Sequence, residues 1–386
     1  MLPKTGYKQP EKWLFPIDPN VDYRLPENRV YLLKAWVEVL SYTTEHNQQL
    51  RLMNHWIDTE RNSDMEMKYW LAFLWGCCYN SIGPWTILSE FPTPPASEAE
   101  FERFTQWYNK NFDRMRFDTD CRYRKSKMLA CVKSYITLLN GKTQEQFFEP
   151  LLEIADDSER FQVVWDTVMS ISYYGRLSAW NFVEGIALVN NWAPGKDVDA
   201  QSFMLEDLSG SESNRNGICF LVNREDLLTK HGRLKSTGEP ISRDACRYLS
   251  EEAEKIYSEC VALFSHITKI NRLNFETSGL CWFKKMFRDK NTRYSGWDSE
   301  RTFDEIRYME QEWPEVDVKP LYAARSHFLP SHLVCEQNGG SGVVKGKMGV
   351  FFHTGTPYDI LATQGAFKWD LQTCKNTKTS STKKLW

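Results

Sequence analysis

Apolar residues recur at helical spacing over most of this chain, and that periodicity constrains the fold more than any other feature. Val30, Leu33, Val37 and Leu40 fall on one helix face between positions 27 and 57. A second helix is expected over 65–79, stopped by Ser81-Ile82-Gly83-Pro84. The Pro-rich FPTPPASEAEFERF leads into another, with Ser97 as N-cap and Glu100 three residues on in the capping-box pattern. Helical patterns continue at about 122–139, 144–156, 158–173 and 176–191, and return at 244–270, 279–288 and 300–312. The expected fold is mainly α with a small β component, for which 218–222 and 349–353 are the strand-like runs.

Three regions depart from this pattern. Residues 1–28 are rich in Pro and polar groups and read as an extended N-terminal arm. Within a helical body spanning 29–315, residues 193–245 cluster Gly, Ser and Asn and read as a loop-rich insertion. Residues 316–386 read as irregular, with Gly339-Gly340-Ser341-Gly342 and a tail after Asp370 that holds Lys375, Lys378, Lys383 and Lys384 and no acid. There is no internal repeat.

With 386 residues, 41% of them hydrophobic and 14% aromatic, the chain can bury a sizeable core. The net charge of −3 excludes a generally basic DNA-coating protein, so any nucleic-acid site must be a local basic patch. The ten cysteines contain no C-x-x-C pair, and the N-terminus lacks the apolar region of a secretory signal. Most of these thiols are therefore expected to be reduced core residues of a cytoplasmic protein. The longest apolar run, 69–79, is too short to cross a bilayer.

Two stretches interleave basic and aromatic side chains. Residues 273–306 place Lys284, Lys285, Arg288, Lys290 and Arg293 among Phe275, Trp282, Phe283, Phe287, Tyr294 and Trp297, around Cys281 and Glu276. Residues 112–128 bring together Arg114, Arg116, Arg122, Arg124, Lys125 and Lys127. Cations bind phosphates and flat rings stack on bases, so both stretches point to a nucleic acid or a phosphorylated base. The alternative for the second is a solvated helix face neutralised by Asp113, Asp118 and Asp120. In the first, helical spacing puts Glu276, Cys281 and Lys284 or Lys285 on one face. A thiol beside lysines is a candidate nucleophile, and a buried packing cysteine is the competing reading. Arg293, Tyr294 and Arg301 follow in a loop and at a helix start.

Other motifs are weaker. Gly175-Arg176 reads as a helix corner whose arginine caps carbonyls. The small polar run 208–220, around Arg215 and Gly217, suits a backbone anion nest or a plain surface loop. Gly141-Lys142-Thr143 has Ile136 where a phosphate-binding P-loop needs glycine, and neither a dinucleotide fingerprint nor H-E-x-x-H occurs. His327 and His332, separated by Pro330, read as loop residues, and no metal site is expected.

The order of these motifs carries more than any one of them. YYGR, then GSESNRNGIC, then ET-x3-C-x2-KK with RY-x-G and DSER, resembles the amino acid:DNA transferases of bacterial viruses over roughly residues 25–315. These are relatives of the α-glutamyl/putrescinyl-thymine pyrophosphorylases, which make hypermodified thymines. The resemblance implies a helical body related to DNA glycosylases. It also implies an enzyme acting in the host cytoplasm to protect the viral genome from restriction. Its partners would be double-stranded DNA containing phosphorylated 5-hydroxymethyluracil and a free amino acid, glycine or serine. The (pyro)phosphate would be replaced by the amino acid. No cofactor is expected, with Mg2+ left open.

That chemistry needs aromatic rings to stack a flipped base. It needs Arg or Lys to hold the leaving phosphate. It also needs an arginine for the amino acid carboxylate and an acid to take up its proton. The candidates are Glu276 and Asp120 as base and Cys281 as nucleophile. Arg122, Arg124, Arg176, Arg215, Lys284, Lys285, Arg293, Tyr294 and Arg301 are the phosphate and DNA contacts, with Arg215, Arg293 and Arg301 on the leaving group. Two routes stay open, one through a covalent thiol adduct and one in which the ring expels a clamped phosphate. A helical DNA glycosylase and a non-catalytic nucleic-acid-binding phage protein are the competing readings.

Overall fold

The computed structural model describes residues 10–18, 21, 23, 25–43, 46–190, 197–208, 210–284 and 298–328, excluding the side chains of 119, 120, 282, 298–300 and 304. Eleven helices run in chain order up to the segment that carries the site: α1 (Arg29–Tyr42), α2 (Gln48–Glu60), α3 (Met65–Cys78), α4 (Ile82–Glu90), α5 (Glu98–Asn111), α6 (Met128–Leu139), α7 (Gln144–Leu152), α8 (Asp157–Met169), α9 (Arg176–Val189), α10 (Glu212–Leu221) and α11 (Arg243–Phe264). Two more, Asp298–Glu312 and Lys319–Phe328, close the described chain. The fold is mainly α.

Helices α3 and α9 are buried nearly all the way round, which marks them as central. They pack closely, because a Cβ on Gly185 would lie 3.0 Å from the Cβ of Ala72. Around this pair, α2 to α8 and the last two helices build one apolar core. A second core joins α1, α10, α11, the segment after α11, and Ile17 and Tyr23 of the arm. The arm is anchored there: the amides of Leu14 and Phe15 donate to the two carboxylate oxygens of buried Glu38, at 2.7 and 2.8 Å.

Local chemistry explains most helix ends. Ser97 Oγ accepts from the Glu100 amide at 3.2 Å, and Glu100 in turn accepts from the Ala96 amide at 2.7 Å. A full capping box sits instead at Thr143 and Gln146, so Gly141-Lys142-Thr143 is the corner between α6 and α7. Asp64, Asp156 and Ser242 cap α3, α8 and α11. Gly83 and Pro84 do not end a helix. They lie in the first turn of α4, where the missing proline N–H would have no partner in any case.

The run 218–222 is not a strand. Ile218, Cys219 and Leu221 lie in α10 and face the second core; a short apolar run fits either geometry, and burial on one helix face decides. Among the described residues the β component is a minimal hairpin, Thr229–Lys230 against Arg233–Leu234. Its turn, His231-Gly232, has both residues at positive φ (55° and 72°), as a two-residue hairpin turn requires. The span 193–245 thus carries a helix and a hairpin. Past residue 315, Lys319–Phe328 is helical and packs on α2 through His327 stacked on His55 at 4.4 Å. The strand-like run 349–353, Gly339 to Gly342, His332 and the basic tail lie outside the described residues.

Candidate active site

Between the two apolar cores runs a seam of buried polar side chains, and the segment after α11 organises it. Asn271 caps the turn Arg272–Asn274, accepting from the Asn274 amide at 2.8 Å. The Asp199 carboxylate accepts from the amides of Arg272 and Leu273 at 2.9 and 3.3 Å, which fixes where the segment begins. Burial lifts the Asp199 carboxyl to about 6 against the pull of those donors. The chain then forms a π-helical turn, Phe275–Leu280, in which the Cys281 amide donates to the Glu276 carbonyl. Single π turns of this kind are frequent at functional sites. The wider turn sends three consecutive side chains, Glu276, Thr277 and Ser278, to three different partners. Helix α10 lies directly against it: a Cβ on Gly217 would come within 2.2 Å of the Leu280 carbonyl oxygen, so only glycine fits.

Glu276 is fully enclosed and paired with Arg176 at the first turn of α9. Arg176 Nη1 and Nη2 donate to its two oxygens at 2.6 and 2.7 Å, a fork-to-fork pair. Nη2 also donates to the Phe203 carbonyl at 2.8 Å, and the guanidinium lies over the Trp180 ring at 4.5 Å. Asn214 of α10 donates to Glu276 as well. Burial pushes the Glu276 carboxyl up, Arg176 pulls it back, and nearby Glu184 adds to the rise.

Arg215 lies beside this pair. Its Nη1 donates to the carbonyls of Leu205 and Asp207 at 3.0 Å each and to the Ser211 hydroxyl. The side chain is 0% exposed, yet Nε and Nη2 find no hydrogen-bond partner among the described residues. Desolvation, and then the neighbouring charge of Arg176, lower its pKa. At the rim Lys284 donates to Ser213 Oγ at 2.5 Å. Arg176 pairs with the Glu276 carboxylate, Arg215 lies close enough to act on it, and Lys284 sits at the rim, a surplus of positive charge that suits an anion.

At the next residue of the π turn, Thr277 Oγ1 donates to Glu184 of α9 at 2.9 Å. The same Glu184 oxygen lies 3.1 Å from His46 Nε2, and His46 Nδ1 meets Ser278 Oγ. Glu184 is 0% exposed, and His46 and Ser278 are 4% exposed each. His46 and Ser278 border a cavity of about 410 Å3 lined also by Phe275, Asn274, Thr268 and Lys269.

Of the residues expected at the site, Glu276, Arg176, Arg215 and Lys284 come together. Cys281 follows on the same segment, half-buried. Arg176 is not a free phosphate contact, because both terminal nitrogens are committed to Glu276. Arg124 is not on the surface: it is 0% exposed and donates to the Gly76 carbonyl at 2.5 Å, closing the end of α3. Arg301 is tied to Asp118 at 2.9 Å and to Glu305 at 2.7 Å, and donates to the Tyr79 carbonyl, so it knits the Asp298–Glu312 helix to the end of α3. Arg114 and Arg116 are likewise taken up, over Trp313 and Tyr308. Arg122 remains exposed beside Tyr123, which is 56% exposed. Lys127 lies over Tyr173, itself 50% exposed. Lys285, Arg293, Tyr294 and the side chain of Asp120 lie outside the described residues.

Sequence reasoning missed His46, Glu184, Asn214, Thr277 and Ser278. The available signals were that ET-x3-C continues as Glu276-Thr277-Ser278 and that Asn214 precedes Arg215 within GSESNRNGIC. Among the described residues, no group of three or more His, Cys, Asp and Glu could hold a metal ion, and no helix is long and apolar enough to cross a membrane. The eight described cysteines are free thiols, and seven of them are buried.

A helical protein with a buried cationic seam lined by acid and amide side chains has the makings of a group-transfer enzyme acting on an anionic substrate. Residues 44–291 match the amino acid:DNA transferase family. A serinyltransferase of Salmonella phage ViI is 57% identical over 373 residues, covering 95% of this chain and 90% of the relative. No solved structure matches the chain. The chain belongs to the amino acid:DNA transferase family. It is a transferase that joins an amino acid to DNA.

Proposed function

We propose that the enzyme attaches serine to phosphorylated 5-hydroxymethyluracil in double-stranded DNA and displaces the (pyro)phosphate. The choice of serine over glycine rests on the similar phage serinyltransferase. The observation that carries the leaving-group assignment is Arg215, a fully buried guanidinium with two nitrogens unpartnered among the described residues. Such donors, fixed in a low-dielectric site, stabilise charge that develops as phosphate departs. Lys284 at the rim adds a further cation. Glu276 already accepts from Arg176 and Asn214, so its part is to hold that cluster in place rather than to serve as a free base.

DNA approaches over Arg122, Tyr123, Lys127 and Tyr173. Their exposed rings and cations sit on the chain leading into α6 and at the corner that leads into Arg176. A flipped nucleotide would stack on such rings and present its phosphate inward. Lys285, Arg293 and Tyr294 are assigned to the same contact by sequence alone. The non-covalent route is preferred: among the described residues no cation hydrogen-bonds the half-buried Cys281, and clamped phosphate needs no thiol adduct.

The test is nucleoside mass analysis of DNA carrying phosphorylated 5-hydroxymethyluracil after incubation with all twenty amino acids. A serine-sized adduct is expected. A glycine adduct would overturn the choice of amino acid, and base loss would favour the glycosylase reading.

A further inference from the structure

The seam has a second end that the phosphate site does not use. The cavity of about 410 Å3 opens between α1, the start of α2 and the loop after α11. Its floor is Ser278, His46 and, behind them, Glu184. Its wall is apolar on one side, with Val37, Leu40 and Phe275, and carries Arg51 and Lys269 on the other; Lys269 is paired with Asp197, and Arg51 Nε donates to the His46 carbonyl at 2.7 Å. Asn274 lines it too, and its side-chain oxygen accepts no bond among the described residues. A small zwitterion fits this chemistry: the Arg51 guanidinium for a carboxylate, the Asn274 side-chain carbonyl for an ammonium, and hydroxyl-bearing neighbours for a polar side chain.

The floor is a line of three groups. Glu184 lies 3.1 Å from His46 Nε2 and the Asn47 amide nitrogen 3.2 Å from the same atom; the carboxylate, the stronger partner, favours the tautomer with its proton there, which leaves Nδ1 to accept from the Ser278 hydroxyl. Ser278, His46 and Glu184 come from three different elements, and Thr277 adds a hydrogen bond that orients Glu184. The Trp36 indole donates to the Ser278 carbonyl at 2.7 Å, which holds this part of the π turn against α1. A linked acid, imidazole and hydroxyl facing a cavity is the arrangement that moves a proton away from an attacking group.

We propose that this cavity receives the free amino acid, and that Ser278, His46 and Glu184 draw off the proton of its attacking group; the proposal rests on the transfer chemistry proposed above. As the attacking O–H or N–H bonds to the methylene carbon of the modified base, its proton passes to Ser278 Oγ. The proton of Ser278 moves to His46 Nδ1. The bond from that carbon to the phosphate oxygen breaks, and its electron pair leaves with the phosphate. Glu184 balances the imidazolium that forms. The phosphate and the amino acid thus meet different residues of the π turn, Glu276 with Arg215 for one and Ser278 with His46 for the other.

The test uses full-length enzyme, phosphorylated 5-hydroxymethyluracil DNA and radiolabelled serine. Thr268→Trp fills the cavity from its rim without touching the three floor residues. Its KM for serine should rise about tenfold or more while its affinity for DNA is kept. Ser278→Ala and His46→Gln should lower kcat about a hundredfold or more with DNA binding retained. If His46→Gln fails to fold, Ser278→Ala and Glu184→Gln carry the kinetic arm. An unchanged KM in Thr268→Trp removes the amino acid from the cavity. A wild-type kcat in Ser278→Ala removes the relay. If the wild-type enzyme itself makes no serine adduct, the reading beneath the proposal fails instead.

Discussion

Arg176 and Glu276 are 100 residues apart in sequence and share one buried fork. Each was legible as a candidate, Arg176 from its place after Gly175 and Glu276 from the basic stretch around it, but nothing in the sequence joined them. A pair so enclosed is tolerated because every terminal nitrogen and both oxygens have partners. Replacing Arg176 with Met strands the carboxylate, and a loss of about 3–5 kcal/mol is expected in urea unfolding. The double replacement by Met and Leu should cost clearly less. Arg124 shows the opposite failure of legibility: in a run of cations, nothing local says which one turns inward to meet carbonyls at the end of α3. His46 and Glu184 were invisible for a related reason, since a single histidine or glutamate in a helical pattern carries no spacing signal. Asp199 bears on pH. Its folded pKa of about 6 stands above the ordinary 3.8. The stability it contributes is therefore fully present below about 4 and lost as pH rises through about 6. Asp199→Asn should flatten that part of the stability profile between pH 4 and pH 8, read as urea midpoints; an unchanged slope would remove Asp199 as its source.

Among the elements, long helices were the easiest to read. The patterns at 122–139, 144–156, 158–173 and 176–191 correspond to α6 through α9, because an apolar stripe of three or four turns has no other economical use. Short elements were not. The run that became the end of α10 reads equally as a strand, and the π turn has no sequence signature at all. Yet the π turn carries the site, since its consecutive residues Glu276, Thr277 and Ser278 meet Arg176 and Asn214, Glu184, and His46 in turn. Gly217 is the element's other requirement. Gly217→Ala puts a methyl 2.2 Å from a backbone oxygen that cannot swing aside. A loss of about 1–3 kcal/mol is expected, with weaker activity as α10 shifts away from Glu276. A variant that melts like wild type would contradict the close approach.

At the scale of the whole molecule, two apolar cores meet along a polar seam, and the proposed transferase chemistry sits along that seam. The charge balance of −3 had already restricted DNA binding to a local patch. Of the two basic stretches, 112–128 divides into inward arginines and an outward group of Arg122 and Lys127 with exposed rings. Reversing both charges should lower DNA affinity and reduce the slope of log affinity against log salt by about 0.9 for each lost phosphate contact. An unchanged slope would move the interface elsewhere. The order of motifs made the family legible, because spacing along a chain survives where side-chain pairing cannot be seen. The central claim is that an amino acid replaces a phosphate on DNA beside Arg215 and Glu276. Its most direct test is a single-turnover assay that follows phosphate release and labelled serine incorporation in the same sample, for wild type and for Arg215→Gln. The account predicts release and incorporation mole for mole in wild type, and both slowed together about a hundredfold or more in the variant. Phosphate release without incorporation, or a variant as fast as wild type, would contradict it.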